Sequence, residues 1–278
     1  MTSVTELLRV EPGSSARLAD IDPRSTPGTK KGKVDAQAET TELGAELAEL
    51  QEMLYANARH DDPRRVLLVL QGMDTSGKGG AVKRVAGQVN PAGVRIAGFG
   101  KPTKEELAHD FLWRIEKALP PAGTIGVFDR SHYEDVLIVR VHDLVPSAEW
   151  ETRYDRINEW EAGLVEQGFT LLKVMLHISL EEQRERLLAR LDDPTKHWKV
   201  NPADIDERER WTDYATAYEA ALSRCSTDAA PWHVLPADRK WYRDWALSHL
   251  LLETLRDMDL SWPKPDLDLE GMRAALQG

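Results

Sequence analysis

Cysteine is almost absent from this sequence. The single residue of that type among 278, Cys225, excludes intramolecular disulfides, leaves no thiolate partner for a zinc site and suits a reducing cytoplasm. Long apolar runs are missing as well. The longest, 66–70 and 247–252, fall far short of the roughly 20 residues that span a bilayer, so no membrane partner is expected. The opening residues, among them Thr2, Ser3 and Glu6, carry no basic segment leading into an apolar core, so no secretory leader is expected. Positive charge is in deficit, with 36 Lys and Arg against 47 Asp and Glu and a formal charge of -11. That balance argues against a sequence-blind grip on nucleic acid, and any polyanionic ligand must meet a local basic cluster. The eight histidines show no metal-ligand spacing, and there is no solenoid repeat.

What is present is a globular composition, 41% hydrophobic and 30% charged, enough for a sizeable core. Residues 11–40 mix Pro12, Gly13, Pro23, Pro27, Gly28 and a Lys30, Lys31, Lys33 run, and read as an extended arm, either solvated or packed on the body or on a partner subunit. Over 42–57, Leu43, Leu47, Leu50 and Leu54 recur at helical spacing. The run 66–70 is continuously apolar, the pattern of a strand buried on both faces. Further strands are expected at 94–97, 124–128, 171–178 and 232–235, separated or followed by helical stretches. The alternation predicts crossover βαβ units, an α/β fold with a parallel sheet between two helical layers, and a ligand site at the carboxyl ends of the strands.

The chemistry concentrates where the first strand ends. Gly72-Met-Asp-Thr-Ser-Gly77-Lys78 has the G-x-x-x-x-G-K spacing, in which backbone N–H groups wrap phosphate oxygens and the lysine reaches the terminal phosphates. Its place between a buried strand and an amphipathic helix bearing Val82, Val85, Ala86 and Val89 is the context that motif needs. Gly79 replaces the usual hydroxyl ligand of magnesium, so another residue must hold the metal. Asp74, inside the loop, would repel phosphate unless a divalent cation lay between them, and a turn-stabilising role is the alternative. The strand 124–128 runs into Asp129 and Arg130, a carboxylate for metal and a guanidinium for phosphate, or a plain salt bridge.

These residues resemble a known family. Gly72 through Gly80, together with Phe128-Asp129-Arg130-Ser131-His132-Tyr133-Glu134-Asp135-Val136, are similar to the paired signatures of the polyphosphate kinase 2 family. The segments at 100–106, 196–199 and 236–242 are similar to family segments too, so the resemblance covers about residues 40–260. It implies a P-loop kinase-like three-layer α/β/α fold with a helical lid, assembled as a homo-oligomer, dimer or tetramer. It implies transfer of a phosphoryl group between inorganic polyphosphate and nucleotides, with Mg²⁺ or, in substitution, Mn²⁺. The Tyr133-Glu134-Asp135 variant resembles the branch that accepts both AMP and ADP. The expected division is then an arm over 1–40, a kinase domain over 41–265 with a lid at about 184–212, and a tail over 266–278.

By the same resemblance Asp74, Lys78, Asp129 and Arg130 match positions required for transfer, and Glu134 would organise acceptor and metal. For Glu134 and Asp135, an acidic helix start is the alternative. Gly72, Thr75, Ser76, Gly77, Gly79 and Gly80 are the loop positions expected to hold phosphate, with Asp74 and Asp129 as metal ligands. After the strand 171–178, Ser179 and Glu182 form a capping pattern opening a helix whose Arg186 and Arg190 share a face. Those arginines, with Lys196 and Lys199 beyond a break at Asp192-Asp193-Pro194, are expected to close over the transferring group, against the alternative of a solvated charged face. Lys83, Arg84, Lys101 and Thr103 would extend the phosphate track. Trp113, Trp160, Trp211 and Trp245 lie in helical segments and are assigned to packing. An acceptor phosphate is already ionised near neutral pH, so positioning and charge neutralisation would supply the catalysis. The pattern alone leaves open an ATP-dependent nucleoside monophosphate or small-molecule kinase, and a non-catalytic phosphate-binding module.

Overall fold

In a computed structural model, which describes residues 2–264 and 266–277, five parallel strands form one sheet: β1 (Arg65–Gln71), β2 (Val94–Gly98), β3 (Ile125–Asp129), β4 (Phe169–His177) and β5 (Trp232–Pro236), in the order β2-β3-β1-β4-β5. The five apolar runs of the sequence are these five strands. Continuous apolar sequence maps to the middle: from Val66 on, every residue of β1 is buried, whereas the edge strand β2 exposes Arg95 and Ile96. Strands covered on both faces need apolar side chains on both faces, and an edge strand does not.

Among the described residues eleven α-helices connect and flank the strands: α1 (Val4–Leu8), α2 (Lys33–Asn57), α3 (Lys78–Ala86), α4 (Trp113–Glu116), α5 (Ile138–Val141), α6 (Ser147–Glu166), α7 (Leu180–Leu191), α8 (Ala203–Glu209), α9 (Trp211–Cys225), α10 (Lys240–Asp257) and α11 (Leu269–Gln277). One face of the sheet packs on α3 and α10, backed by α2; the other packs on α6, which carries α5 and α9. This is the three-layer α/β/α architecture. None of the helices among the described residues is long and apolar enough to cross a membrane.

Two boundaries differ from expectation. The arm ends at Gly32, because 33–40 are the first turns of α2. It is also not a solvated tail: Val4, Leu8, Val10 and Leu18 are buried, Val10 N–H donates to Trp232 O at 2.8 Å, and Leu18 N–H donates to Glu219 Oε1 at 2.8 Å. Val4 and Leu8 lie one turn apart on the short α1, while Val10 and Leu18 are too far apart to extend a pattern, yet this segment covers the β5 edge. The expected domain end at 265 lies outside the described residues. Most of the expected tail is α11, an exposed helix.

Candidate active site

Three sequence segments converge at the carboxyl ends of β1 and β3. The loop from Gly72 to Gly77 leaves β1 and enters α3. Gly72 sits at φ 151°, and a Cβ there would lie 2.7 Å from Leu176 O and 2.7 Å from Ser76 Oγ, so both conformation and space require glycine. Two non-glycine residues of the site also hold left-handed backbone, Thr75 and Arg130, each at φ 66°. Such positions cost on the order of 1–3 kcal/mol and persist where surrounding bonds over-determine them.

Those bonds are present. Every carbonyl from Gly72 to Gly77 is taken by a side-chain donor. Lys78 Nζ donates to Gly72 O at 2.6 Å and Met73 O at 3.4 Å, Gln183 Nε2 to Asp74 O at 3.2 Å, Arg186 Nη1 to Thr75 O and Ser76 O at 2.9 and 2.8 Å, and Arg243 Nη1 to Gly77 O at 3.1 Å. With these carbonyls bound, anion binding by the loop rests on its N–H groups.

At the mouth, Asp74, Lys78, Asp129 and Arg130 line one open cleft of about 380 Å³ together with Thr75, Ser76, Gly77, Gly79, Gly98 to Gly100 and Arg190. Arg130 Nη2 donates to Asp74 Oδ1 at 3.2 Å. Burial works against the Arg130 charge, but Glu134, Asp74 and Asp129 hold its pKa above the ordinary value. Burial lowers the Lys78 pKa, opposed by Asp74 and Asp129. Burial raises that of Glu134, against the pull of Arg130 and Lys78.

The cleft opens on both sides into cavities of opposite character. One, of about 380 Å³, is lined by Arg186, Arg190, Lys196, Lys199 and Lys240 with Glu182 and Glu185, and has no aromatic wall. The other, of about 200 Å³, is lined by Trp211, Tyr214, Tyr218, Leu137 and Ile138 together with Glu134, Asp204 and Glu207. The loop lies between them, Thr75 and Gly77 touching the basic cavity, Gly72 and Asp74 the aromatic one. The lid covers both: α7, the turn Pro194–Lys199, α8 and the start of α9 occupy the expected 184–212 region.

Arg186 is not the free lid cation that the sequence suggested. Its five N–H donors all have partners: Nε to Glu182 Oε1 at 2.7 Å, Nη1 to the two loop carbonyls, and Nη2 to Ala237 O and Asp238 O at 2.6 and 3.1 Å. It is a buried clamp joining α7, the loop and the end of β5, with only an edge on the basic cavity. Arg190, by contrast, makes a single 3.4 Å contact with Asp204 and faces the cleft. Other expected residues lie outside the cavities. Lys83 is exposed on α3, Arg84 faces Asp244 at 3.7 Å, Lys101 is exposed, and Thr103 exchanges bonds with Glu106 as the cap of a short turn. Gly80 packs on Arg243. Among the tryptophans assigned to packing, Trp211 packs against the core and also walls the aromatic cavity.

Sequence patterns assigned no role to Gln183, Tyr218, Lys240 and Arg243. Tyr218 accepts from Gly72 N–H at 3.1 Å through its hydroxyl. Lys240 lies within the 236–242 segment and Arg243 directly follows it, and that position after a buried strand was the available signal. The turn that carries Arg130 and Glu134 rests on a fully buried network no local pattern announced. Lys173 Nζ donates to Glu161 Oε2 at 2.6 Å, Tyr133 Oη at 2.8 Å and Cys225 O at 2.6 Å, while Tyr133 Oη–H and His132 Nε2 meet Glu161 Oε1 at 2.9 and 3.1 Å.

A divalent cation fits this donor set. Asp74 and Asp129 face one cleft, the loop hydroxyls Thr75 Oγ1 and Ser76 Oγ are buried without a partner, and no group of three or more His, Cys, Asp or Glu side chains is assembled among the described residues. Mg²⁺ typically takes one or two carboxylates and completes its shell with phosphate and water.

A glycine loop that turns its amides inward at the end of a central parallel strand, with a carboxylate on the neighbouring strand tip and a basic lid, defines a P-loop phosphotransferase of the kinase-like class. Residues 30–263 match the family model described as polyphosphate kinase 2, and the chain belongs to that family. It is 47% identical to an AMP/ADP-polyphosphate phosphotransferase of Meiothermus ruber, over 93% of this chain and 95% of that protein. It is 43% identical to an ADP-polyphosphate phosphotransferase of Rhodopseudomonas palustris, over 78% of each. The crystal structure of polyphosphate kinase 2 from Arthrobacter aurescens superposes with a TM-score of 0.96 at 52% identity, covering 99% of this chain and 97% of that one.

Proposed function

We propose that this protein transfers a phosphoryl group between inorganic polyphosphate and nucleoside mono- and diphosphates, making ADP from AMP and ATP from ADP, reversibly. The observation that carries the reading is the pair of unlike cavities meeting over one phosphate loop. A nucleotide donor needs a wall against which to lay its base, and the basic cavity has five cations and no aromatic side chain. A chain of phosphates needs only cations. The aromatic cavity, with Trp211, Tyr214 and Tyr218, suits the flat, neutral nucleoside of the acceptor. This arrangement favours polyphosphate over ATP as donor, in agreement with the activities named for the relatives.

In the forward direction an ionised phosphate oxygen of the nucleotide attacks the terminal phosphorus of polyphosphate. One phosphorus–oxygen bond forms as one phosphoanhydride bond breaks, and the shortened chain leaves with the bridging oxygen. No proton need be removed from the nucleophile, so positioning and charge compensation supply the catalysis. Lys78 and the loop amides hold the donor's terminal phosphates, Arg130 and Arg190 compensate charge on the transferred group, and Lys196, Lys199 and Lys240 hold the remaining chain. Asp74 and Asp129 would hold Mg²⁺, which neutralises phosphate oxygens when bound. Closure of α7 and α8 excludes water, which would otherwise hydrolyse the donor.

The reading extends to a homo-oligomer, since α11 exposes Leu269, Met272 and Leu276 on one side, and to the cytoplasm, which suits the lone buried Cys225. The test is formation of ADP and ATP, scored separately, from AMP or ADP with long-chain polyphosphate and Mg²⁺ and no ATP. Lys78→Ala and Asp129→Ala are expected to reduce kcat by on the order of 10²- to 10³-fold or more with the fold intact. Near-normal turnover in either variant, or a requirement for ATP, would overturn the proposal.

A further inference from the structure

Resting on that reading of the loop, we infer that Arg243 is a positioning residue for phosphoryl transfer, and that Gly80 is glycine because its missing side chain is the seat of the Arg243 guanidinium.

Arg243 lies on α10, lines none of the three cavities described above, and only 5% of it is exposed. Its Nη1 donates to Gly77 O at 3.1 Å, and its Nε and Nη2 donate to Asp244 Oδ1 at 2.9 and 2.6 Å. The aspartate fixes the plane of the guanidinium and compensates its charge, so what Arg243 supplies is geometry. A peptide unit is planar, with its N–H opposed to its C=O. Together with the Gly80 and Ala81 N–H groups, each 3.0 Å from Gly77 O, Arg243 fixes that carbonyl and with it the direction of the Lys78 N–H on the same peptide.

Two glycines near this peptide, Gly77 and Gly80, fit the same account. Gly77 has φ 105°, and a Cβ there would overlap Nη1 of Arg243. A Cβ on Gly80 would meet Nη2 and Nη1 of Arg243 at 3.0 and 3.1 Å, and nothing else but the Cζ of the same group within 3.3 Å. Gly79, between them, has nothing within 4 Å of its own missing Cβ. Gly80 is exposed in the first turn of α3, where alanine is the better helix former. Local preference thus opposes glycine at 80, and the three nearest atoms a Cβ there would meet all belong to the Arg243 guanidinium.

The experiment compares wild type, Arg243→Ala, Gly80→Ala and the double variant in transfer from polyphosphate to ADP, with melting temperatures alongside. Arg243→Ala is expected to lower kcat roughly 10- to 100-fold with KM for polyphosphate within threefold, and millimolar guanidinium should restore at least fivefold of the loss while leaving wild type unchanged. Gly80→Ala is expected to keep or raise the melting temperature yet lower kcat three- to tenfold, an effect that vanishes in the Arg243→Ala background. Wild-type kcat in either single variant, or a Gly80→Ala loss of equal size in both backgrounds, overturns the inference. Should Arg243→Ala fail to fold, the stability and kcat of Gly80→Ala alone decide. Absence of transfer by wild type would instead overturn the functional reading and this inference with it.

Discussion

Arg186 and Arg190 stand one turn apart on the lid helix, and replacing each by methionine should have opposite consequences. Methionine preserves length and apolar bulk while deleting the guanidinium. At Arg186 five hydrogen bonds disappear: one to the Glu182 carboxylate and four to backbone carbonyls. Bonds to a charged group contribute about 1.5–3 kcal/mol each, but the carbonyls facing the basic cavity recover water, so the sum is not additive. Removing one partner of a buried pair costs about 3–5 kcal/mol, and the loss at Arg186 should fall near the middle of that range, at about 4 kcal/mol. A chain of this size shifts by about 2–4 °C per kcal/mol, which places the melting temperature of Arg186→Met about 8–16 °C below wild type. Arg190 has one half-buried ion pair at 3.4 Å, a contact contributing under about 1 kcal/mol, so Arg190→Met should melt within about 3 °C of wild type. Activity should separate the pair in the other sense. Assayed well below both transitions, Arg190→Met loses turnover and raises KM for polyphosphate without losing stability. Differential scanning fluorimetry with steady-state kinetics reads both quantities. An unchanged melting temperature in Arg186→Met, with transfer abolished, would refute the clamp and return Arg186 to the role of a free lid cation.

The buried Lys173–Glu161 pair supports a second expectation. Lys173→Met strands a carboxylate in the core and should cost about 3–5 kcal/mol in urea titration, and adding Glu161→Gln should recover part of it; strictly additive losses would show that the two groups are not coupled. Stability should also depend on acid. Burial lowers the pKa of His132, His177 and His233, the last to about 4. Their unfolded forms take up protons first, so the stability they contribute is complete above about pH 6.5 and is lost as pH falls toward 4, by ~3 kcal/mol at most for His233. A His233→Gln chain should show a shallower decline over that window, and an identical decline would exclude His233 as its source.

Much of the fold and the core of the site is legible in the amino-acid sequence. Burial on both faces forces continuous apolar runs, and each of the five runs is a strand. The glycine spacing after β1 and the Asp129-Arg130 pair after β3 are local in sequence because the chemistry needs backbone amides and a carboxylate at fixed strand ends. A resemblance to the polyphosphate kinase 2 family, carried by those same segments, named the chemistry. Local pattern was silent on how side chains far apart in sequence meet. Arg186 carries the same charge and helical face as Arg190, and no spacing distinguishes a guanidinium whose donors are filled from one facing an open cleft. Lys173 lies in a strand that otherwise reads as apolar, and its partner is on another helix. The opposite characters of the two cavities arise from residues between 72 and 240 brought together by the crossovers. Apolar periodicity marks which segments are strands, and glycine spacing marks which loop has the phosphate-loop form, because those depend on neighbours along the chain. Which cations remain free to bind a ligand depends on neighbours across it, and only the packing of α7 and α10 against the loop decides that.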